Sequence, residues 1–394
     1  MPTYFVRPIG QSCRTTTCLC LASLWYESAP GSESWSPDPR YRVQRPAHST
    51  HSTVSGHHGL IVNGLASHTS CMMLDMQKDE MVHRELALRI ERLIGAKVES
   101  YRPVAGGYTP AMRLRCRTTT TTFFAKIGVT PVTRQWLRRE IHVYNCVSGA
   151  FMPHLVAWED HEAEPILLLE DLSAAHWPPP WTAQRVELVL AQVDAMHNTP
   201  VGLESYTHIH GVRAAHWPAV AADPAPFLAL GLADAPWLDG ALPLLIRYEA
   251  QCRTDGESLT HWDLRSDNIC ITEGRAIFVD WNSACVSNPR LDLGFWLPSL
   301  AYEGGPDPEQ ILPDAPEVAA WVAGFFAARA GLPGIRDAPR VRLVQRQQLV
   351  TALPWAARAL GLPLPGMRFR ANNCSCGGVC HGCILRMSAI APPC

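Results

Sequence analysis

The sequence predicts an α+β fold in which a strand-rich stretch precedes a mainly helical one. Three observations carry this. Strand-like segments cluster between Lys97 and Leu169. From Thr182 to Gly361 the chain reads mainly as helices. One β-rich stretch, Leu259 to Asp280, interrupts those helices. The chain has 394 residues, 47 % hydrophobic and 18 % charged, so it has apolar surface for a large core and is not wholly disordered. Its net charge of -2 gives no global pull onto nucleic acid or anionic lipid. No apolar run approaches the ~18 residues of a membrane helix. The N-terminus lacks a basic lead-in and a clean cleavage site, so the expected location is the cytoplasm.

The elements follow in order. Residues 1–78 are rich in Ser, Thr, His and Pro without a sustained period and read as a disordered leader. His48, His51, His57 and His58 offer a metal-binding alternative there, and Met72, Met73, Met76 and Met81 offer later translation starts. Val82, Leu86, Ile90, Leu93 and Ile94 recur at helical spacing, and Gly95 suits the helix end. Strands are expected over Lys97–Val104, Met112–Cys116 and Thr118–Ile127. The β-branched Thr118–Thr122 run favours the last. Thr130 can cap, and Pro131 open, a helix expected over Val132–Val147. Leu137, Ile141 and Tyr144 mark its buried stripe, with Glu140 beside it. Ile166–Leu169 reads as a buried strand leading into Glu170-Asp171-Leu172. A proline run, Trp177–Trp181, then separates it from a helix over Thr182–Asn198.

The 14 cysteines lack the even density of a secreted disulfide scaffold. Cys374, Cys376, Cys380 and Cys383, with His381, carry ligands enough for zinc. They are crowded together with little apolar surface, so residues 363–394 read as a disordered tail.

The chemistry concentrates in His261-Trp262-Asp263-Leu264-Arg265-Ser266-Asp267-Asn268, an H-x-D-x-x-x-x-N pattern. An apolar strand, Ala276 to Val279, then delivers Asp280 and Trp281. Phosphoryl transfer needs one carboxylate to accept a hydroxyl proton, and further oxygen ligands to hold Mg²⁺ against phosphates. Asp263 suits the first task, and Asn268 with Asp280 the second. An amide oxygen binds the ion without adding negative charge.

Joined to Asn288-Pro289-Arg290-Leu291-Asp292-Leu293-Gly294, these motifs resemble the aminoglycoside phosphotransferase and choline kinase group, relatives of protein kinases. The resemblance covers roughly residues 80–362. It implies a bilobal protein-kinase-like fold, with a small antiparallel-sheet N-lobe over 79–170 and a larger, mainly helical C-lobe over 171–362. It implies ATP, with GTP as an alternative, beneath a loop of Gly106-Gly107-Tyr108-Thr109. Lys126, paired with Glu140, would face the phosphates, and the backbone from Glu170 to Leu172 would hold adenine at the hinge. Asp292 would brace the catalytic loop, and His261 would fix it by hydrogen bonds. The implied partner is a small-molecule hydroxyl acceptor, either aminoglycoside-like, an amino alcohol or a related metabolite, with no nucleic acid or membrane involved.

Trp262 and Ser287 stand where the group often has glycine, and the Trp262 ring is expected to alter the acceptor pocket. Glu303, Asp307, Glu309 and Asp314 read as a solvated loop, with attraction of a cationic acceptor as the functional alternative. Two competing readings are a catalytically silent nucleotide-binding protein and a metal-binding or interaction protein acting through its Cys-rich tail.

Overall fold

The structure is a computed structural model that describes residues 84–366, except 105–109, 212–213, 273 and 337. The leader, the cysteine-rich tail and the glycine loop expected over 106–109 therefore lie outside the described residues.

Helix α1 (84–94) stops at Gly95, whose φ of +67° is the left-handed turn that glycine supplies at a helix end. A five-stranded sheet follows: β1 (Ser100–Pro103), β2 (Met112–Arg117), β3 (Thr122–Ile127), then, after helix α2 (Pro131–Cys146), β4 (Leu155–Glu159) and β5 (Ile166–Glu170). Its order is β1-β2-β3-β5-β4, and every neighbouring pair is antiparallel. Side chains alternate across a strand. Phe123, Ala125 and Ile127 of β3 accordingly pack with Leu86 and Ile90 of α1 on one face. The opposite face carries Phe124 and Lys126, and the β2–β3 register sets Arg113 directly across from Lys126.

The strand expected from Thr118 begins later, at Thr122. Thr118 Oγ1 accepts the backbone N–H groups of Thr120 and Thr121, and Thr118 N–H donates to Thr121 O at 2.9 Å. The hydroxyl thus closes a turn, a local bond that outweighs β-propensity. Strand β4 gave no sequence signal. It is a sheet edge, and Leu155, Val156 and Trp158 are exposed, so the inward/outward alternation that marks a strand is missing. Helix α2 matches its expected bounds to one residue, because Thr130 and Thr133 form a reciprocal capping box and Pro131 occupies its first turn.

The larger lobe contains α3 (Ala183–His197), α4 (Tyr206–His210), α5 (His216–Ala222), α6 (Ala225–Leu228), α7 (Ala235–Gln251), β6 (Ser258–Thr260), β7 (Ile269–Thr272), β8 (Arg275–Phe278), β9 (Cys285–Ser287), α8 (Arg290–Tyr302), α9 (Pro308–Ile311), α10 (Pro316–Ala330) and α11 (Val341–Ala359). Helix α10 is buried nearly all round, from Val318 to Ala327, as the central helix of a bundle must be. It packs on α5, α7, α8 and α11. The short ribbons β6–β9 and β7–β8 flank the segment that carries the polar motif. No helix among the described residues is long and apolar enough to cross a membrane.

Candidate active site

Between the two lobes lies a cavity of about 590 Å³. The sheet contributes Arg113, Phe124 and Lys126, and the loop side contributes Asp267, Asn268 and Asp280.

Lys126 is the meeting point. Its Nζ donates to Glu140 Oε2 at 2.6 Å and to Asp280 Oδ1 at 2.5 Å. Strand alternation turns Lys126 to this face, α2 brings Glu140 down onto it, and β8 delivers Asp280 from the other lobe. Glu140 is buried, with its side chain 2 % exposed. Burial would lower the Lys126 pKa, but the two carboxylates outweigh it and raise the pKa above the usual lysine range. Asp280 is 36 % exposed at its side chain. Burial there raises the pKa, yet the charges of Lys126 and Arg113 win and bring it to about 2. Asp280 has a left-handed backbone, φ +67°. The adjacent Val279 N–H donates to Asn268 O at 2.9 Å, which ties the two expected metal ligands together.

Asp263 lies in a different environment. Its side chain is 2 % exposed, while Asp267 and Asn268 line the cavity. One oxygen accepts from Arg265 Nε at 2.9 Å and the other from Asn268 Nδ2 at 3.2 Å. Asn268 Nδ2 also donates to Asp263 O at 2.8 Å, so the amide's carbonyl oxygen is the atom left to ligate a cation. Burial pushes Asp263 up to about 6, with Arg265 opposing. Arg265, itself buried, reaches on to Asp267 at 3.0 Å. Sequence reasoning passed over Arg265; the signal was a lone cation between two aspartates in a loop.

The loop is held from behind. Asp292 Oδ1 accepts Trp262 N–H at 2.8 Å, and its Oδ2 accepts His261 N–H at 2.9 Å and bonds His197 Nε2 at 3.1 Å. The His261 ring donates through Nε2 to Val279 O at 3.0 Å and accepts Asp263 N–H on Nδ1 at 3.3 Å. That tautomer is assigned from the bonding pattern, and burial supports it by pushing the ring down to about 4.

The Trp262 ring does not reach the cavity. It is 1 % exposed and packs on Tyr206 at 4.5 Å, Phe295 at 5.7 Å and Trp321 at 5.8 Å. Its backbone φ of +63° explains why a glycine suits this position. Its Nε1–H donates to Ser287 Oγ at 2.5 Å, so the two departures from the group pattern contact each other. The expectation that this ring reshapes the acceptor pocket is corrected accordingly: its bulk fills the core of the helical lobe.

At the hinge, the Glu170 carboxylate is bound by Arg275 Nη2 at 2.7 Å and by His154 N–H at 3.0 Å. Leu172 O accepts Trp177 Nε1 at 3.3 Å and Ala175 N–H at 3.0 Å. Glu170 N–H also donates to His154 O at 2.9 Å, so the Glu170 carboxylate and N–H and the Leu172 carbonyl oxygen all have partners within the protein. The acidic stretch is also partly engaged: Glu303 accepts Trp181 Nε1 at 2.7 Å, and Glu309 pairs with Arg358. Among the described residues, no cluster of three or more His, Cys, Asp or Glu forms a metal cage.

A small antiparallel-sheet lobe, a larger helical lobe and a Lys–Glu pair over the cleft define a protein-kinase-like phosphotransferase scaffold. The model of the phosphotransferase enzyme family matches residues 100–343, and the chain belongs to that family. It is a small-molecule phosphotransferase. Similar solved structures include a thermostable mutant of aminoglycoside phosphotransferase APH(4)-Ia with ADP and hygromycin B, at 14 % identity and TM-score 0.44, covering 70 % of this chain and 97 % of that one. Spectinomycin phosphotransferase APH(9)-Ia with ADP and spectinomycin has 12 % identity and TM-score 0.47, over 70 % and 98 %. Choline kinase LicA from Streptococcus pneumoniae has 12 % identity and TM-score 0.46, over 71 % and 99 %. No curated protein matches the chain in sequence.

Proposed function

We propose that the chain moves the γ-phosphoryl group of ATP to a hydroxyl of a small molecule, with Asp263 as the proton acceptor. The observation that carries this is the grouping of Lys126, Asp280 and Asn268 at one cavity, with Asp263 bonded directly to Asn268. Lys126 and Glu140 orient the phosphates. Asp263, raised to about 6, is ionised at neutral pH yet close enough to that range to take a proton, which suits a general base. Arg265 and Asn268 hold its two oxygens in place. In-line positioning and charge neutralisation supply most of the acceleration.

Asn268 and Asp280 fit Mg²⁺, because they offer hard oxygen donors and leave the other positions to phosphate and water. When bound, the ion neutralises charge on the phosphates. Glu170 and Leu172, through the hinge backbone, are assigned to the adenine, and Gly106 to Thr109, outside the described residues, to the phosphates.

The test is a phosphorylation screen of the full chain with ATP and GTP. Its acceptors are aminoglycosides, amino alcohols such as choline and ethanolamine, and hydroxylated metabolites such as homoserine and fructosamines. Labelled phosphate on one acceptor class is the expected result. Nucleotide binding without transfer to any acceptor would favour the silent nucleotide-binding reading.

A further inference from the structure

We infer that Arg113 is a second phosphate-binding cation of this cleft, acting beside Lys126 on the phosphate chain of a nucleoside triphosphate. The inference rests on the phosphotransferase reading above and adds a residue that the sequence motifs did not include. Arg113 sits on β2 as the cross-strand partner of Lys126 on β3. Directly paired residues project from the same face of a sheet, a few ångströms apart. Both line the main cavity, and both line a smaller recess beside it that Asp280 also shares. Arg113 Nη1 donates to Ala111 O at 3.0 Å, which keeps the guanidinium near the first residues of β2. Its charge helps depress Asp280 and opposes protonation of Lys126, as a close neighbour's must.

Charge balance gives this cation a task. Lys126 is one positive charge held by two carboxylates, at 2.5 and 2.6 Å. A triphosphate arriving there adds several negative charges beside an ammonium already shared with Glu140 and Asp280, so a further cation on this face offsets charge that Lys126 and a bound Mg²⁺ leave. Arg115, on the same face of β2, is paired with Asp171 at 2.7 Å at the hinge end. Arg113 is at the other end, and a planar guanidinium fork matches phosphate oxygens two at a time.

The experiment is calorimetric titration of the full chain with Mg·ATP and with adenosine, for wild type, Arg113→Gln and Arg113→Lys. Thermal melting checks that each variant is folded. Arg113→Gln should weaken Mg·ATP binding ~10-fold or more, the scale of a lost charged hydrogen bond, while adenosine binds as before. Arg113→Lys, which keeps the charge, should recover part of that loss and decides the matter if the Gln variant does not fold. Unchanged ATP affinity in Arg113→Gln would overturn the assignment, as would equal losses for ATP and adenosine. A wild-type chain that binds no nucleotide overturns the phosphotransferase reading as well. Wild-type ATP binding without an Arg113 effect sinks this inference alone.

Discussion

The two aspartates of the site, one at the cavity and one behind its lining, are held in opposite ways. At the cavity, Asp280 stands partly exposed on the loop side, facing Lys126 and Arg113 of the sheet, and its pKa falls to about 2. Behind the cavity lining, Asp263 is buried with one opposing cation, and its pKa rises to about 6. Both belong to one short stretch of chain, and they are the same amino acid. The facing sheet cations make Asp280 a permanent anion, suited to holding a cation. Burial makes Asp263 a group that exchanges a proton near neutrality, suited to taking one from a hydroxyl. Environment, and not residue type, separates the two tasks.

That contrast can be broken or sharpened by substitution. The largest effect is expected from Asp280→Ala. Turnover with Mg·ATP should drop ~10³-fold or more, because the variant removes a preorganised charge at the phosphates. A coupled ADP-release assay measures it, and half-maximal activity would end the metal-side assignment. Asp263→Ala should lower kcat at least ~10²-fold, the low end of general-base contributions, with ATP affinity little changed by titration. A variant that turns over like wild type would remove Asp263 from the mechanism.

A subtler effect is expected in the pH profile. The active form has Asp263 ionised, so kcat/KM should fall as pH drops through about 6. His261, neutral down to about 4, does not contribute to that limb. Arg265 lowers the Asp263 pKa, so Arg265→Gln should move the midpoint upward by about one unit. A midpoint that stays in place would mean that the Arg265 charge does not set the basicity of Asp263. The smallest effect belongs to the back of the loop. Trp262→Phe loses the Nε1–H bond to Ser287 and should cost about 1 kcal/mol in urea unfolding. Adding Ser287→Ala to that variant should cost less than it does in wild type, because the two residues share one interaction. Full additivity would show that they are independent.

Much of the sheet wall was legible in the sequence. The alternation Phe123-Phe124-Ala125-Lys126 turns Lys126 away from the packed face, and the Thr130/Pro131 start with the Leu137, Ile141 and Tyr144 stripe places Glu140 on the inward side of α2. Arg113 escaped notice because cross-strand register depends on a hairpin whose turn starts at Thr118, and the threonine run masked that turn. On the loop wall, the spacing from His261 to Asn268 named the polar groups but not their surroundings. Trp262 illustrates this. One residue before Asp263, it read as part of the pocket, yet its ring is seated among Tyr206, Phe295 and Trp321 from three distant helices.

By itself, the sequence determined most of the order of strands and helices, β4 excepted, and the residue types available for phosphoryl chemistry. These depend on periodicity, caps and spacing, which are local properties of the chain. Only the tertiary structure decided which aspartate is buried, which cation each one meets and where the Trp262 ring goes. Desolvation and Coulomb energy depend on everything packed around a group, including segments far away in the chain.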